Sequence, residues 1–271
     1  MRTLVDPALL HAEMCTRRAG GERIGFVPTM GFLHDGHLSL MKQARRDCDH
    51  LVVSIYVNPL QFGPDEDLET YPRDPEGDAA KCAAVGVDTL FLPTDLYDID
   101  HNTTVTVSGL TERLCGASRP GHFDGVTTVV ARLFGLVQPT IAVFGEKDYQ
   151  QLAVIRRMVR DLCMSVQVVG GPLVRDHDGL ALSSRNKYLN AFNRARALTL
   201  HQALNIIRDS PLPLAADRLT LAREILEVDT LDYLEVVDPD SLEPLQRIDG
   251  EARALVAAWI GQTRLIDNLA I

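Results

Sequence analysis

The chain has 271 residues, 46% hydrophobic and 24% charged, a balance that excludes a disordered or low-complexity protein. Its formal net charge of −10 excludes a general nucleic-acid binder relying on a basic surface, though not one small anion in a locally basic pocket. Cys15, Cys48, Cys82, Cys115 and Cys163 are scattered without a CxxC pair, which argues against a disulfide framework or a zinc site. No apolar run reaches the ~18–20 residues of a membrane span and the N-terminus has no signal-type core, so a cytoplasmic protein is expected.

Asp6-Pro7 is a helix start, an acceptor cap before a residue with preset φ, and Gly20-Gly21 is the stop. RIGFVPT (23–29) is a short apolar strand running into the turn MGFLHDGH (30–37). A helical pattern follows in HLSLMKQARRDC (37–48), and the strand LVVSIYV (51–57) ends at Asn58-Pro59. Asp74-Pro75 opens a helix ending near Gly86, followed by the strand DTLFLP (88–93). VTTVVARLFGLV (126–137) reads as helix, IAVF (141–144) as strand, KDYQQLAVIRRMVRDL (147–162) as helix and SVQVVG (165–170) as strand.

Strands alternating with helices predict an α/β fold: a Rossmann-like parallel sheet with helices on both faces and right-handed crossovers. In such sheets ligands sit at the carboxyl ends of the strands. The loops after RIGFVPT, LVVSIYV and IAVF fall there, and they are the chemically richest in the chain. From about Arg175 the texture changes. Two helices flank Pro211–Pro213, and DYLEVVD (232–238) and ARALVAAWI (252–260) read as strands of an antiparallel sheet. Residues 1–174 are therefore expected to form the nucleotide-binding domain, and 175–271 a smaller α+β domain that helps close the active site.

His34 and His37 stand three residues apart across Gly36. If they open the following helix, its free N–H groups and dipole favour an anion, and the imidazoles can donate to phosphate oxygens. Gly31 and Gly36 permit a tight turn. The same pattern also occurs as two turn histidines with no ligand. Gly145-Glu146-Lys147-Asp148 opens a helix: Lys147 can pair with a phosphate, while Asp148 can cap the helix or orient a metal-bound water. Gln151, one turn on, suits a hydroxyl or a carboxylate. Leu182-Ser183-Ser184-Arg185 offers hydroxyls and a cation, either in a polar turn or in a mobile loop closing over a triphosphate. Asn58 and Gln61 offer neutral amides for a small polar substrate. Residues 116–125 read as a flexible wall carrying Arg119, with His122 structural. There is no P-loop, no GxSxG elbow and no GxGxxG after a strand.

Together, VPTMGFLHDGH, SIYVNPLQF, YPRD, GASRPGHFDGV, FGEKDYQQL, DGLALSSRNKYL and the terminal LIDN resemble the pantothenate synthetase (pantoate–β-alanine ligase) family, within the HxGH nucleotidyltransferase superfamily. The resemblance runs from about Ile24 to the C-terminus. It implies ATP-dependent condensation of pantoate with β-alanine through a pantoyl adenylate, releasing pyrophosphate and then AMP. Met30, Gly31, Phe32, Leu33, His34, Asp35, Gly36 and His37 would line the ATP site, with His37, His34 and Lys147 as its catalytic groups. Gly145, Glu146, Lys147, Asp148, Val174, Leu182, Ser183, Ser184 and Arg185 would complete nucleotide binding. Gln61 and Gln151, with Asn58 beside them, would hold pantoate, and β-alanine would enter at Gln61. Mg²⁺ is expected with ATP, carried mainly by phosphate and water since no carboxylate cage is visible; Asp78 is a candidate contact in an undistinctive segment. A homodimer is expected too. The competing readings are a nucleotidyltransferase that stops at the adenylated product and a nucleotide-sensing protein without activity.

Overall fold

In the computed structural model, which describes residues 1–64 and 66–271, the chain opens with strand β1 (Arg2–Leu4) and helix α1 (Pro7–Ala19). The Asp6 carboxylate caps α1, accepting from the Ala8 and Leu9 N–H groups. Next come β2 (Ile24–Thr29), α2 (Asp35–Arg46), β3 (His50–Ile55), α3 (Pro75–Ala84) and β4 (Thr89–Phe91). The single-turn helix α4 (Cys115–Ser118), α5 (His122–Val137), β5 (Ile141–Gly145), α6 (Tyr149–Asp161) and β6 (Gln167–Gly171) complete the larger unit.

These six strands form one parallel sheet in the order β1-β4-β3-β2-β5-β6. From β2 the chain steps outward through β3 to β4, then returns to place β5 on the other side of β2. The order therefore reverses between β2 and β5, the place where such sheets open a ligand crevice. Alternate side chains serve opposite faces. Phe26, Val52, Ala142 and Phe144 pack with α1, α5 and α6, whereas Val27, Val53, Ile141 and Val143 pack with Leu40 and Met41 of α2 and Cys82 of α3.

All five strands expected in this half are present. β1 escaped the sequence pattern because three residues carry no periodicity; it is held by parallel pairing of Arg2 with Thr89 through Leu4 with Phe91. Residues 116–125, expected as a flexible wall, are instead largely helical, forming most of α4 and the first turn of α5. Gly121 at φ +80° lets the chain turn into α5, and the buried Phe123 anchors its start.

The smaller unit comprises α7 (Ala191–Asp209), α8 (Ala215–Arg223), β7 (Thr230–Val237), β8 (Arg253–Ile260) and β9 (Thr263–Ala270). Its sheet is antiparallel, order β7-β8-β9. β9 was not expected as a strand, although the Gly261-Gln262 link, with Gly261 at φ +60°, is a two-residue hairpin signal. One face of β8 (Val256, Ala258, Ile260) packs on Leu200, Ala203, Leu204 and Ile207 of α7. The other face, through Leu255 and Ala257, joins Tyr233 and the core beneath α5 and α6. Among the described residues no helix is long and apolar enough to cross a membrane, and all five cysteines are free thiols.

Candidate active site

The carboxyl end of β2 is held in an unusual turn. Gly31 has φ +87° and Phe32, which is not glycine, φ +50°. A Cβ on Gly31 would lie 2.8 Å from Ile55 Cγ2, so only glycine fits. The buried Asp78 of α3 clamps this turn: its two carboxylate oxygens accept from the Phe32 and Leu33 N–H groups, each at 2.7 Å. From the opposite side Ser184 Oγ donates to the Phe32 carbonyl at 3.2 Å. Asp78, considered above as a magnesium contact, is thus committed to the backbone. A charged acceptor for two amides repays the cost of its own burial.

Helix α2 begins with His34 as its cap, earlier than expected, and His37 lies in its first turn. The two rings stack obliquely, centroids 4.1 Å apart. The His34 N–H donates to His37 Nδ1 at 3.3 Å, so neutral His37 carries its proton on Nε2. His34 Nδ1 is buried without a partner, and a Cβ on Gly36 would lie 2.9 Å from that ring. Burial first, then the Lys147 cation, pushes His34 down to about 4. Burial, then His34 and Lys147, holds His37 well below the ordinary imidazole range. Both rings are neutral at neutral pH, with Lys147 beside them.

Lys147 comes from a short 3₁₀ turn, Glu146–Asp148, between β5 and α6. Its ammonium lies 4.0 Å from the Asp148 carboxylate. The β2 and β5 ends thus deliver the histidines and the lysine to the same crevice.

The amides divide their work. Asn58, expected to touch substrate, is 1% exposed and fully engaged within the protein. Its Oδ1 accepts from Tyr97 OH (2.9 Å) and Leu60 N–H (3.3 Å), and its Nδ2 donates to Gln61 Oε1 and the Gly125 carbonyl, both at 3.1 Å. Asn58 therefore fixes which end of the Gln61 amide faces outward. Gln61 Nε2 is presented beside Met30 Sδ (3.1 Å). In α6, Gln150 is committed to Cys115 N–H and the Leu110 and Arg113 carbonyls, whereas Gln151 lines the open space.

Two adjoining cavities share part of their lining. An inner pocket of about 220 Å³ is lined by His34, His37, Gln61 and Met30 over an apolar floor of Val126, Val129 and Val130 from α5. An outer cleft of about 900 Å³ runs toward β8 and β9. They meet at Lys147, Asp148, Gln151, Ser183 and Arg185. Val174 and Leu182 are joined by a backbone hydrogen bond (Leu182 N–H to Val174 O, 3.0 Å) and border the inner pocket with Gly145. Arg185 is not free: its guanidinium holds Asp67 at 2.6 and 2.9 Å and lies over the Tyr71 ring. Arg119 is likewise paired, with Glu66 and His122. His122 donates from Nδ1 to the Gln61 carbonyl at 2.8 Å, consistent with a structural role, and burial pushes it down to about 4.

The apolar floor, Tyr97 and Asp67 were missed by sequence reasoning. Each is ordinary in its local segment and meets the site only through long-range packing. Among the described residues no three His, Cys, Asp or Glu side chains gather as a metal cluster.

A doubly wound sheet here brings a helix N-terminus, two neutral imidazoles and a lysine to its switch point, where such sheets open a ligand crevice. The family profile described as Pantoate-beta-alanine ligase matches residues 3–270, and the chain belongs to that family. It is 53% identical over 276 residues to the pantothenate synthetase of Syntrophotalea carbinolica, covering 99% of this chain and 98% of that one. The crystal structure of pantothenate synthetase from Thermus thermophilus superposes with a TM-score of 0.94 at 49% identity, covering 99% of both chains. Pantoate–β-alanine ligase from Francisella tularensis, crystallised with βγ ATP and β-alanine, aligns with a TM-score of 0.81 at 33% identity over 99% of this chain and 97% of that one. The chain is a ligase of pantothenate biosynthesis.

Proposed function

We propose that the inner pocket is where this ligase activates pantoate, and that the outer cleft admits ATP and β-alanine. The observation that carries this is the neutral histidine pair facing Lys147 at the switch point, with one buried imidazole nitrogen unpartnered. A pantoate carboxylate oxygen attacks the α-phosphorus of ATP, forming the acyl adenylate and releasing pyrophosphate. His37, through its Nε2–H, and His34 donate to phosphate oxygens as charge builds, and Lys147 balances that charge. The amine of β-alanine then attacks the acyl carbon, forming the amide bond, losing a proton and expelling AMP. Gln61, oriented by Asn58, and Gln151 hold the hydroxyls of pantoate, whose gem-dimethyl group fits the valine floor. Met30 through His37, Gly145 through Asp148, Val174 and Leu182 through Arg185 enclose the nucleotide, with residues 175–271 covering it. Asp78 serves the backbone, so a magnesium ion would be held mainly by the triphosphate and water and would screen phosphate charge.

The test is isotope exchange between ATP and pyrophosphate. Exchange should require pantoate and not β-alanine, while sustained AMP release should require both. AMP release without β-alanine would sink the two-step reading. His37→Ala and Lys147→Ala should each lower turnover at least ~10²-fold with the fold intact; near-normal turnover in both would show that the site lies elsewhere.

A further inference from the structure

The terminal LIDN segment lies in β9, outside the roles assigned so far. Asn268 is 2% exposed, and its side chain reaches across to the larger unit. Both hydrogens of its Nδ2 are used, one on the Glu146 carbonyl and one on the Lys147 carbonyl, each at 2.9 Å. Its Oδ1 accepts from Arg253 Nε at 2.8 Å, which fixes the orientation of the amide. Arg253 also reaches Glu146 (3.3 Å) and lies 4.1 Å over the Tyr149 ring. The neighbouring Asp267 accepts both guanidinium arms of Arg175 at 2.7 and 2.9 Å and donates nothing to the turn.

We propose that Asn268 is a positioning residue for Lys147: a side chain of the smaller unit sets the 3₁₀ turn from which the lysine reaches the phosphates of ATP. The turn follows β5 with no side-chain cap of its own, and this one amide ties two of its three carbonyls to β9. No other side-chain type of this size offers two donors and an acceptor in one plane. Ser offers a single donor to the two carbonyls, and Asp presents oxygens to oxygens. The inference rests on the reading of Lys147 given above, and the experiment separates the two.

Affinity for an α,β-methylene ATP analogue, which the adenylation step cannot cleave, is measured by competition, alongside adenosine and pantoate, for the parent enzyme, Asn268→Ser, Asn268→Asp and Lys147→Ala. The expected result is a loss of about tenfold for the ATP analogue in both Asn268 variants, the scale of one charge-assisted contact. Adenosine and pantoate, which lack phosphates, should stay within about twofold. A merely structural role would move all three ligands together. If Lys147→Ala shows the phosphate-specific loss and Asn268→Ser does not, the inference about Asn268 fails alone. If Lys147→Ala shows no such loss, the reading of Lys147 fails first and takes this inference with it. Should Asn268→Asp not fold, Asn268→Ser, uncharged and smaller, carries the test. Equal loss for all three ligands in that variant would overturn the proposal.

Discussion

Replacing Asp78 by asparagine keeps its shape but withdraws one of the two acceptors that hold the Phe32 and Leu33 amides. A backbone N–H is then left unpaired in a turn already at positive φ. Stability should fall by about 1–3 kcal/mol in urea titrations, and pantoate-dependent pyrophosphate exchange by at least about tenfold. Normal exchange would show that the turn holds without the clamp. Protonation belongs to the same scale. His34, His37 and His122 all sit below their unfolded value, so as pH falls the unfolded chain takes up protons first. The stability these neutral sites provide is whole above about pH 6.5 and is lost as pH falls toward about 4. Urea midpoints at pH 7, 6 and 5 should decline in that order. Nucleotide phosphates should raise the His34 value, so calorimetry near pH 5 in buffers of different ionisation heat should detect proton uptake on binding. Release or no exchange of protons would contradict the pairing of imidazole with phosphate.

Among the elements, α5 does more than cover the sheet. A Cβ on Gly125 would lie 2.2 Å from the Leu60 carbonyl oxygen and 2.6 Å from Gln61 N, atoms of backbone that cannot swing aside. Gly125→Ala should therefore push the Pro59–Gln61 turn off α5. The expected cost is about 1–3 kcal/mol, with the KM for pantoate raised at least about fivefold at saturating ATP. An unchanged KM would mean that the turn tolerates the shift. This contact also shows what the sequence could carry. Strands such as IAVF were legible because buried parallel strands are continuous apolar runs, and α1 because its cap chemistry is local. The start of α5 was not, because Phe123 and Gly125 are explained by a partner more than sixty residues away. Likewise NPLQF drew attention to Gln61 and Asn58, but only the fold shows that Asn58 is bonded to Tyr97, Leu60, Gln61 and Gly125. β9 was concealed differently: LIDN drew attention as a motif, and its alternation as a strand went unread.

On the scale of the whole molecule, the two units meet beside the cavities through paired side chains. Arg185, assigned to the triphosphate, is already bound to Asp67, while Tyr188 OH donates to the Thr70 carbonyl at 2.9 Å. On the proposed reading, nucleotide takes Arg185 from Asp67, a bidentate, largely buried pair. Asp67→Asn should therefore lower the KM for ATP by about two- to fivefold without raising the KM for β-alanine, as read by steady-state kinetics. A higher KM for ATP would instead show that Asp67 helps to form the bound state. The larger connection is apolar. β8 carries Val256, Ala258 and Ile260 toward α7 while Leu255 and Ala257 are sealed under α5 and α6, so one face of its sheet belongs to the smaller unit and the other to the larger. For anyone recombining such enzymes, the boundary expected at residue 174 is therefore a poor place to cut. A foreign C-terminal half would arrive with the wrong counter-surface for α5 and α6, and a graft that respects the molecule would exchange those helices together with β7, β8 and β9.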